Sequence, residues 1–288
     1  MRIIPADQLP INADGSVFHL HLKPSQLATK IVMMGDPGRV PVVASFFDNI
    51  EFDLQNREFR SITGTYRGKR ITALSHGIGC DNIDIVLNEL DALVNIDLKN
   101  RTLKSDTCKL TIVRIGSSGG LQPSCPIGSF VVSKVSMGID GLLYFYANSA
   151  DFEDRNMQDQ FILHTDWNTS LAKPYFVHSD KDLCQQIGFD MQQGITCSAS
   201  GFYGPQGRHL RLALADPEQN EKLESFVFDG LQFLNYEMEG AALAGLAAMM
   251  GHSATTVCLI IANRHSNDMN TDYKDSLNDL IIKVLDRI

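Results

Sequence analysis

The chain has 288 residues, of which 44% are hydrophobic and 20% are charged. Acidic side chains outnumber basic ones, 34 to 25, and the net charge is -9. Nonspecific polyanion binders need a basic face, so this balance argues against a nucleic-acid partner. A chain of this length can bury roughly three quarters of its surface. Because no repeat or linker divides it, we expect one domain over residues 1–288.

The cysteine spacing gives no sign of a metal site, and the cysteines and apolar runs together bear on where the protein is located. The six cysteines are scattered and form no Cys-x-x-Cys pair, so zinc, iron–sulfur and redox motifs are poorly supported. The first residues lack the apolar run of a secretory signal, and no stretch of about 18 apolar residues occurs. These features predict a cytoplasmic, reduced protein with no membrane partner.

Short apolar runs alternate with helical patterns along the chain, which is typical of an α/β fold. Residues 148–173 show no clean period and are expected to form a loop. In chain order the pattern predicts a strand at 31–34, a helix at 39–47, a hairpin turn at 66–70, a strand at 71–75, a helix at 81–94, strands at 109–115, 130–135 and 194–198, a helix at 237–250, a strand at 255–261 and a helix at 272–288.

Two of the predicted strands end in glycine-rich turns with an arginine close by, at residues 35–39 and 114–120. Glycine lets backbone N–H groups approach an anion, and arginine offers a bidentate fork for phosphate. Ordinary turns with solvated arginines are the alternative interpretation. Arg114 interrupts an apolar strand, so we expect it to have a partner. The nucleotide fingerprints G-x-x-x-x-G-K-[ST] and G-x-G-x-x-G are missing, which leaves ATP and NAD unsupported.

Two further segments carry polar groups suited to a nucleoside. Glu237 and Glu239 precede an apolar helix, where they either favour the helix dipole or bind vicinal hydroxyls. Phe202, Gln206 and Arg208 lie in one loop, which is either a simple turn or a reader of a planar base. Locally, each segment allows both interpretations.

Together these segments resemble the nucleoside phosphorylase superfamily, and in particular its uridine-cleaving members. The resemblance extends from about residue 16 to about residue 264. The matching motifs are Gly35-Asp36-Pro37-x-Arg39, Arg57-Glu58-Phe59, Gly77-Ile78-Gly79, Arg114-Ile115-Gly116-Ser117-Ser118-Gly119, Phe202-Tyr203 with Gln206 and Arg208, Asn235-Tyr236-Glu237-Met238-Glu239, and Asn263-Arg264.

The resemblance implies roles for individual residues. The backbone of Gly35, with Arg39, Arg114 and Ser117, corresponds to a phosphate site. A partner subunit would add Arg57 to that phosphate and His19 near the ribose 5'-hydroxyl. The remaining positions would bind the ribose through Glu239, Met238 and, with less support, Glu237, and the base through Phe202, Gln206, Arg208 and Arg264.

The resemblance also implies a fold and an activity. The fold would be a single-domain, three-layer α/β/α structure with a mixed, barrel-like sheet. The chain would form homodimers with shared active sites, and these dimers either remain separate or assemble into hexamers. The activity would be reversible phosphorolysis of uridine to uracil and ribose 1-phosphate, a pentosyl transfer in pyrimidine salvage and nucleoside catabolism, with no cofactor. Purine-cleaving relatives carry an aspartate where Asn263-Arg264 stand here.

Alternatives to that activity remain. A hydrolytic nucleosidase would need no anion site, a phosphorylase could act on another nucleoside, and a silent binder would lack some of the acids or arginines. The sequence departs from the family at Cys80-Asp81-Asn82, where many members have a Gly-Pro-Ser type turn. His76 occurs in some members and is not interpreted as a metal ligand. The sequence does not decide whether a metal ion binds at a subunit interface, and no metal ligand is assigned.

Overall fold

The computed structural model describes residues 2–288 and has an α/β fold. The helices are α1 (Val40–Ala44), α2 (Cys80–Asn95), α3 (Arg155–Thr165), α4 (Lys181–Gly188), α5 (Gln219–Ser225), α6 (Gly240–Met249) and α7 (Lys274–Arg287). The strands are β1 (Lys30–Met34), β2 (Asn49–Asn56), β3 (Phe59–Tyr66), β4 (Lys69–Ser75), β5 (Ile96–Asp97), β6 (Thr102–Leu103), β7 (Thr111–Gly120), β8 (Phe130–Gly138), β9 (Tyr175–His178), β10 (Gln192–Ser198), β11 (Val227–Phe228), β12 (Leu231–Glu237), β13 (Ser253–Asn263) and β14 (Asp268–Met269).

The central sheet is mixed and closes on itself. Its order is β11-β12-β10-β8-β13-β7-β1-β4-β3-β2, and an additional pairing joins β12 to β7. Strands β7, β13, β8, β10 and β12 therefore form a closed ring, in which β7 pairs in parallel with β13 and antiparallel with β12. The expected barrel-like sheet is confirmed.

Helices cover both faces of this sheet. In β1, Ile31 and Met33 pack in one apolar cluster while Val32 and Met34 pack in another, because successive strand residues point to opposite faces. The first cluster contains apolar residues of α2 and α6, and the second contains those of α1, α4 and α7. This is the expected three-layer arrangement. In residues 2–288, no helix combines the length and apolarity that crossing a membrane requires.

Most predicted elements are confirmed in type, but residues 148–173 are not simply a loop. They contain α3, which the sequence pattern missed because most of its surface is polar. The Asp154 side chain caps this helix by accepting a hydrogen bond from Met157 N at 3.0 Å. Phe161 then packs against Phe176, Phe226 and other aromatic rings. Tertiary burial of one side, rather than a clear local period, stabilises the helix.

The glycine-rich segment after Arg114 is also not a turn, because β7 continues through it to Gly120. Its glycines provide room where the ring closes. A Cβ at Gly116 would lie 2.8 Å from Nη1 of Arg114, and one at Gly120 would lie 2.9 Å from the carbonyl oxygen of Cys125. A strand with side chains at these positions could not pass so close to its neighbours.

The helix predicted at 237–250 begins later, at Gly240. Glu237 is the last residue of β12, and its Oε2 accepts hydrogen bonds from the backbone N–H groups of Glu239 (2.9 Å) and Gly240 (2.8 Å). Glu237 thus satisfies the free N–H groups at the start of α6 from outside the helix. Gly251, with φ +79°, ends the helix as expected.

Candidate active site

A cavity of about 910 Å³ opens where several strands end. Residues after β1, β4 and β10, the part of β7 from Arg114 to Gly119, and the ends of β12 and β13 supply its walls. Ten of the thirteen residues singled out from the sequence line it: Gly35, Arg39, Arg114, Ser117, Phe202, Gln206, Arg208, Glu237, Met238 and Glu239.

Arg114 is held by three groups at one end of the cavity. Its side chain is almost fully buried, and its Nη2 donates to Glu239 Oε2. Nη1 lies 2.9 Å from Glu237 Oε2 as an ion pair, and Nε donates to Nε2 of His76 at 3.2 Å. The expectation that this buried charge has a partner is confirmed. Burial by itself would lower the pKa of Arg114, but Glu239 and Glu237 raise it, so the guanidinium stays charged.

The two glutamates have different surroundings. Glu237 is bound by the α6 backbone, by Arg114 and by the Ser198 hydroxyl, so every side of its carboxylate has a protein partner. Glu239 accepts from Gly79 N at 2.7 Å and from Arg114. Burial raises the pKa of Glu239 against the lowering effect of Arg114. Glu237 lies at the start of a helix, as the first local interpretation of this pair expects. Binding of vicinal hydroxyls, the second interpretation, stays a prediction for Glu239.

Arg39 lines the same cavity from the turn after β1. Its Nη2 donates to the Tyr273 hydroxyl at 3.0 Å and lies 3.5 Å from Ser117 Oγ. Gly35 lies in the turn itself, where a Cβ would come within 3.0 Å of the carbonyl oxygen of Gly77. Two guanidinium groups, a hydroxyl and a glycine turn therefore line this cavity.

A second part of the lining carries aromatic rings and an amide. The Arg208 guanidinium stacks on Phe202, 3.7 Å from the ring centroid, and its Nη1 donates to Gln206 Oε1 at 2.6 Å. Within the described chain, Arg264 is absent from the lining, but its Nη2 lies 3.5 Å from the same oxygen and its guanidinium lies over the Tyr236 ring. Burial, followed by the charge of Arg264, lowers the pKa of Arg208 to about 10, which leaves it protonated at neutral pH. Phe202 keeps 49% of its surface exposed.

His19 and Arg57 are not brought into the cavity. Among residues 2–288 they are absent from its lining, and both lie on an outer surface. Asn56 Nδ2 donates to the His19 carbonyl at 2.7 Å, and the Arg57 guanidinium lies 5.9 Å from the Phe18 ring centroid. His19 Nδ1 is 2.7 Å from Glu89. The two residues thus form one patch, together with exposed Phe18.

Three residues of the site were missed from the sequence alone. His76 and Ser198 follow or end apolar strands and contact Arg114 and Glu237, while Tyr273 is remote in sequence from Arg39, which it contacts. Their signal was weak, because a single polar residue at a strand end has no spacing to mark it. The described residues contain no group of three or more His, Cys, Asp or Glu placed to bind a metal ion.

Comparisons with known proteins agree with this geometry. Residues 29–286 match the family model of the Phosphorylase superfamily, and the chain belongs to that family. It is 29% identical over 265 residues to a uridine phosphorylase of Thermococcus kodakarensis (90% of this chain, 82% of the relative). It is 28% identical over 255 residues to a uridine phosphorylase of Haemophilus influenzae (88% of each chain).

Solved structures show the same architecture. A Trypanosoma brucei nucleoside phosphorylase, described as showing uridine phosphorylase activity, superimposes with a TM-score of 0.86 at 29% identity and covers 96% of this chain and 98% of its own. A Phytophthora capsici uridine phosphorylase shares the fold at 22% identity and TM-score 0.69, covering 99% of this chain and 98% of its own.

Proposed function

We propose that this protein is a uridine phosphorylase, which converts uridine and inorganic phosphate reversibly to uracil and ribose 1-phosphate. The observation that carries the proposal is that one cavity is lined by two chemically different sets of side chains. Arg39, Arg114 and Ser117 form one set, and Phe202 with Gln206 and Arg208 forms the other. The names of the similar proteins from T. kodakarensis and H. influenzae agree with it.

Phosphorolysis needs a phosphate held behind C1' of the ribose while the base leaves. The sugar passes through an oxocarbenium-like state, with phosphate as the attacking group. Most of the catalysis would be positioning and charge stabilisation. Opposite unit charges 4 Å apart attract by about 4 kcal/mol at an effective dielectric constant of 20. Arg39 and Arg114 can therefore hold a dianion, with Ser117 and the Gly35 backbone as further donors.

In the structure, the Nη donors of Arg114 are already paired with carboxylates, and a bound phosphate would have to replace those contacts. Arg114 contacts Glu239, the residue expected to bind the ribose 2'- and 3'-hydroxyls. When phosphate takes Arg114 donors, a carboxylate oxygen of Glu239 becomes free for those hydroxyls, beside Met238. The two substrates would thus share one ion pair that opens when both are bound.

The contacts of Gln206 support a choice of base. Its Oε1 already accepts from Arg208, and this fixes the amide so that Nε2 is free to donate. The second lone pair of this oxygen faces Arg264 Nη2 at 3.5 Å, a long contact that uracil N3–H can replace. Arg208 donates to a carbonyl and stabilises negative charge on the departing base. Cytosine presents an amino donor in place of O4 and would lose one of these bonds.

We infer that the active form is at least a homodimer. His19 and Arg57 lie outside their own chain's cavity but on one surface, next to Glu58, which does line the cavity. Across a two-fold axis such a patch can reach the partner's site. The partner would then supply a third arginine to the phosphate. We further propose one domain over residues 1–288 and a cytoplasmic location, since all six cysteines are unpaired in the described chain.

The decisive experiment is release of free base from a panel of uridine, deoxyuridine, thymidine, cytidine, inosine and adenosine, with and without phosphate. We expect uridine cleavage that depends on phosphate and yields ribose 1-phosphate. Equal turnover of uridine without phosphate would favour a nucleosidase. Inosine cleavage at a rate comparable to uridine would contradict the assigned base specificity.

A further inference from the structure

His76 lies against Arg114 and the turn after β1, although the roles assigned above do not include it. It follows β4 directly and is fully buried. Its backbone N–H donates to the carbonyl of Met34 at 2.8 Å, and a Cβ at Gly35 would lie 3.7 Å from its Cε1. The imidazole therefore packs under the glycine turn after β1 and beside Arg114, the two elements expected to bind phosphate.

The contact with Arg114 fixes the form of the imidazole. A guanidinium has only donors, so His76 Nε2 must accept the hydrogen bond from Arg114 Nε, which is 3.2 Å long. The proton then lies on Nδ1, which has no hydrogen-bond partner among the described residues. Burial, and next the charge of Arg114, lower the pKa of His76 well below its usual value. The side chain is thus a neutral acceptor in a single tautomer.

Substrate binding would replace two of the three contacts of Arg114 and leave the third in place. Nη1 and Nη2 face Glu237 and Glu239, and these are the donors that a phosphate in the cavity can take over. Nε faces His76, below the cavity, where no substrate has to enter. The bond to His76 can therefore persist while the other two exchange.

We propose that His76 is a positioning residue, whose neutral imidazole holds Nε of Arg114 so that both Nη groups face the bound phosphate. A neutral acceptor satisfies this buried donor without adding negative charge. A third carboxylate would satisfy it too, but would repel the incoming dianion. This inference rests on the proposed function.

The test compares four variants by steady-state kinetics and by calorimetric titration of the free enzyme with inorganic phosphate. H76M removes the acceptor at similar side-chain length, and H76Q places an amide oxygen near the position of Nε2. We expect H76M to raise KM for phosphate at least about 10-fold, since hydrogen bonds to charged groups are among the strong ones. KM for uridine should change less than about 3-fold, and H76Q should restore phosphate binding to within about 3-fold of the unaltered protein.

Comparing H76E with H76Q tests the effect of a negative charge at position 76. H252M is a control for the loss of a buried histidine elsewhere. H76E keeps an acceptor but adds a carboxylate, so it should weaken phosphate more than H76Q does. This comparison carries the test if H76M does not fold. His252 is also buried and accepts a backbone hydrogen bond, from Leu110 N at 3.2 Å, but it lies outside the cavity lining given by the described residues. H252M should lower the melting temperature without changing KM for phosphate.

The outcomes separate the two proposals. An unchanged phosphate affinity in H76M, equal losses in H76Q and H76M, or equal effects of H76E and H76Q would each overturn the role of His76. If the unaltered protein releases base without needing phosphate, the proposed function fails instead. Calorimetry with phosphate alone still decides whether His76 positions an anion-binding arginine.

Discussion

At the scale of single residues, Arg114 is the position on which the site depends. A charge in the middle of a buried strand is costly unless it is paired, and two carboxylates and an imidazole surround it. The sequence predicted that it needs a partner. Which residues serve could not be predicted, because His76 and Glu239 are remote from it in the chain and are brought to it by the sheet.

Arg114→Ala should lower kcat/KM for phosphate by at least about 100-fold, since a charge-assisted contact to a dianion is worth about 3 kcal/mol. The assay is uridine phosphorolysis over a range of phosphate concentrations. Circular dichroism would verify that the variant is folded. Turnover like that of the unaltered protein would contradict the phosphate site.

The same substitution should make stability depend on pH. Burial already raises the pKa of Glu239, and Arg114 opposes this, so its removal should raise that pKa further. For a carboxyl whose pKa is higher in the folded than in the unfolded protein, the contribution to stability is fully present below the unfolded pKa, about 4.5 for Glu239. That contribution is lost as the pH rises through the pKa of the folded protein. The loss of unfolding free energy in Arg114→Ala should therefore be smaller near about pH 5 than near about pH 8. Urea titrations at both pH values measure it, and equal losses would refute the argument.

Tyr273→Phe removes the hydroxyl that accepts from Arg39. Because Arg39 would keep its charge but lose a contact that orients it, KM for phosphate should rise by about 2- to 10-fold, with the KM for uridine nearly unchanged. Tyr146→Phe is the matched control, since that hydroxyl contacts Asp84 and Asn88 instead of Arg39. A phosphate KM that shifts equally in both variants would show that the Tyr273 contact has no special role.

At the scale of elements, turns that follow the strands orient the backbone N–H groups that contact the site. The segment Gly77-Ile78-Gly79 leads from β4 into α2, and Gly79 N donates to Glu239 at 2.7 Å. Gly77 has φ +75°, a conformation that favours glycine, and a Cβ there would lie 3.0 Å from Glu58 Cγ. The backbone geometry of this turn therefore bears directly on the orientation of Glu239.

Gly77→Ala should displace the turn and raise KM for uridine, in addition to lowering the free energy of unfolding by about 1–2 kcal/mol from backbone strain. Gly68 is the matched control, because it has φ +77° at a hairpin tip and open space where a Cβ would be. Gly68→Ala should cost the backbone strain alone, with unchanged kinetics, and so less stability than Gly77→Ala, where a Cβ would also collide with Asn82 Nδ2. Thermal melts and uridine saturation curves measure the two effects. Normal uridine kinetics in Gly77→Ala would separate this turn from the ribose site.

Helix α3 is one of several elements that the sequence pattern missed, and its packing shows the reason. Its buried residues, among them Met157 and Phe161, are few, and polar residues separate them. The aromatic cluster that holds the helix comes from strands far along the chain, including Phe176 and Phe233. A local period is informative only where one face of a helix is continuously apolar, as in α2.

At the scale of the whole molecule, the closed ring of β7, β13, β8, β10 and β12 gathers residues from distant segments into one cavity. His19 and Arg57 stay outside it. This division supports a site completed by a second copy of the chain.

Mixing Arg57→Ala with Arg114→Ala subunits tests that arrangement. In a mixed dimer one site has both mutations and the other has neither, so about a quarter of full activity should return after random reassociation. Each variant alone should remain impaired. Mass spectrometry of differently tagged subunits would verify that mixed dimers form, and the absence of any recovery in them would refute a shared site.

The sequence by itself determined the class of fold, six of the strands and four of the helices, and which residue types could bind phosphate, sugar and base. These follow from local periodicity, from glycine and charge at strand ends, and from the order of motifs. Only the tertiary structure decided which groups meet: Arg114 with His76, Glu237 with Ser198, and Arg39 with Tyr273. The physical reason is that sheet closure and burial pair charges over long stretches of chain, whereas sequence patterns report only on near neighbours.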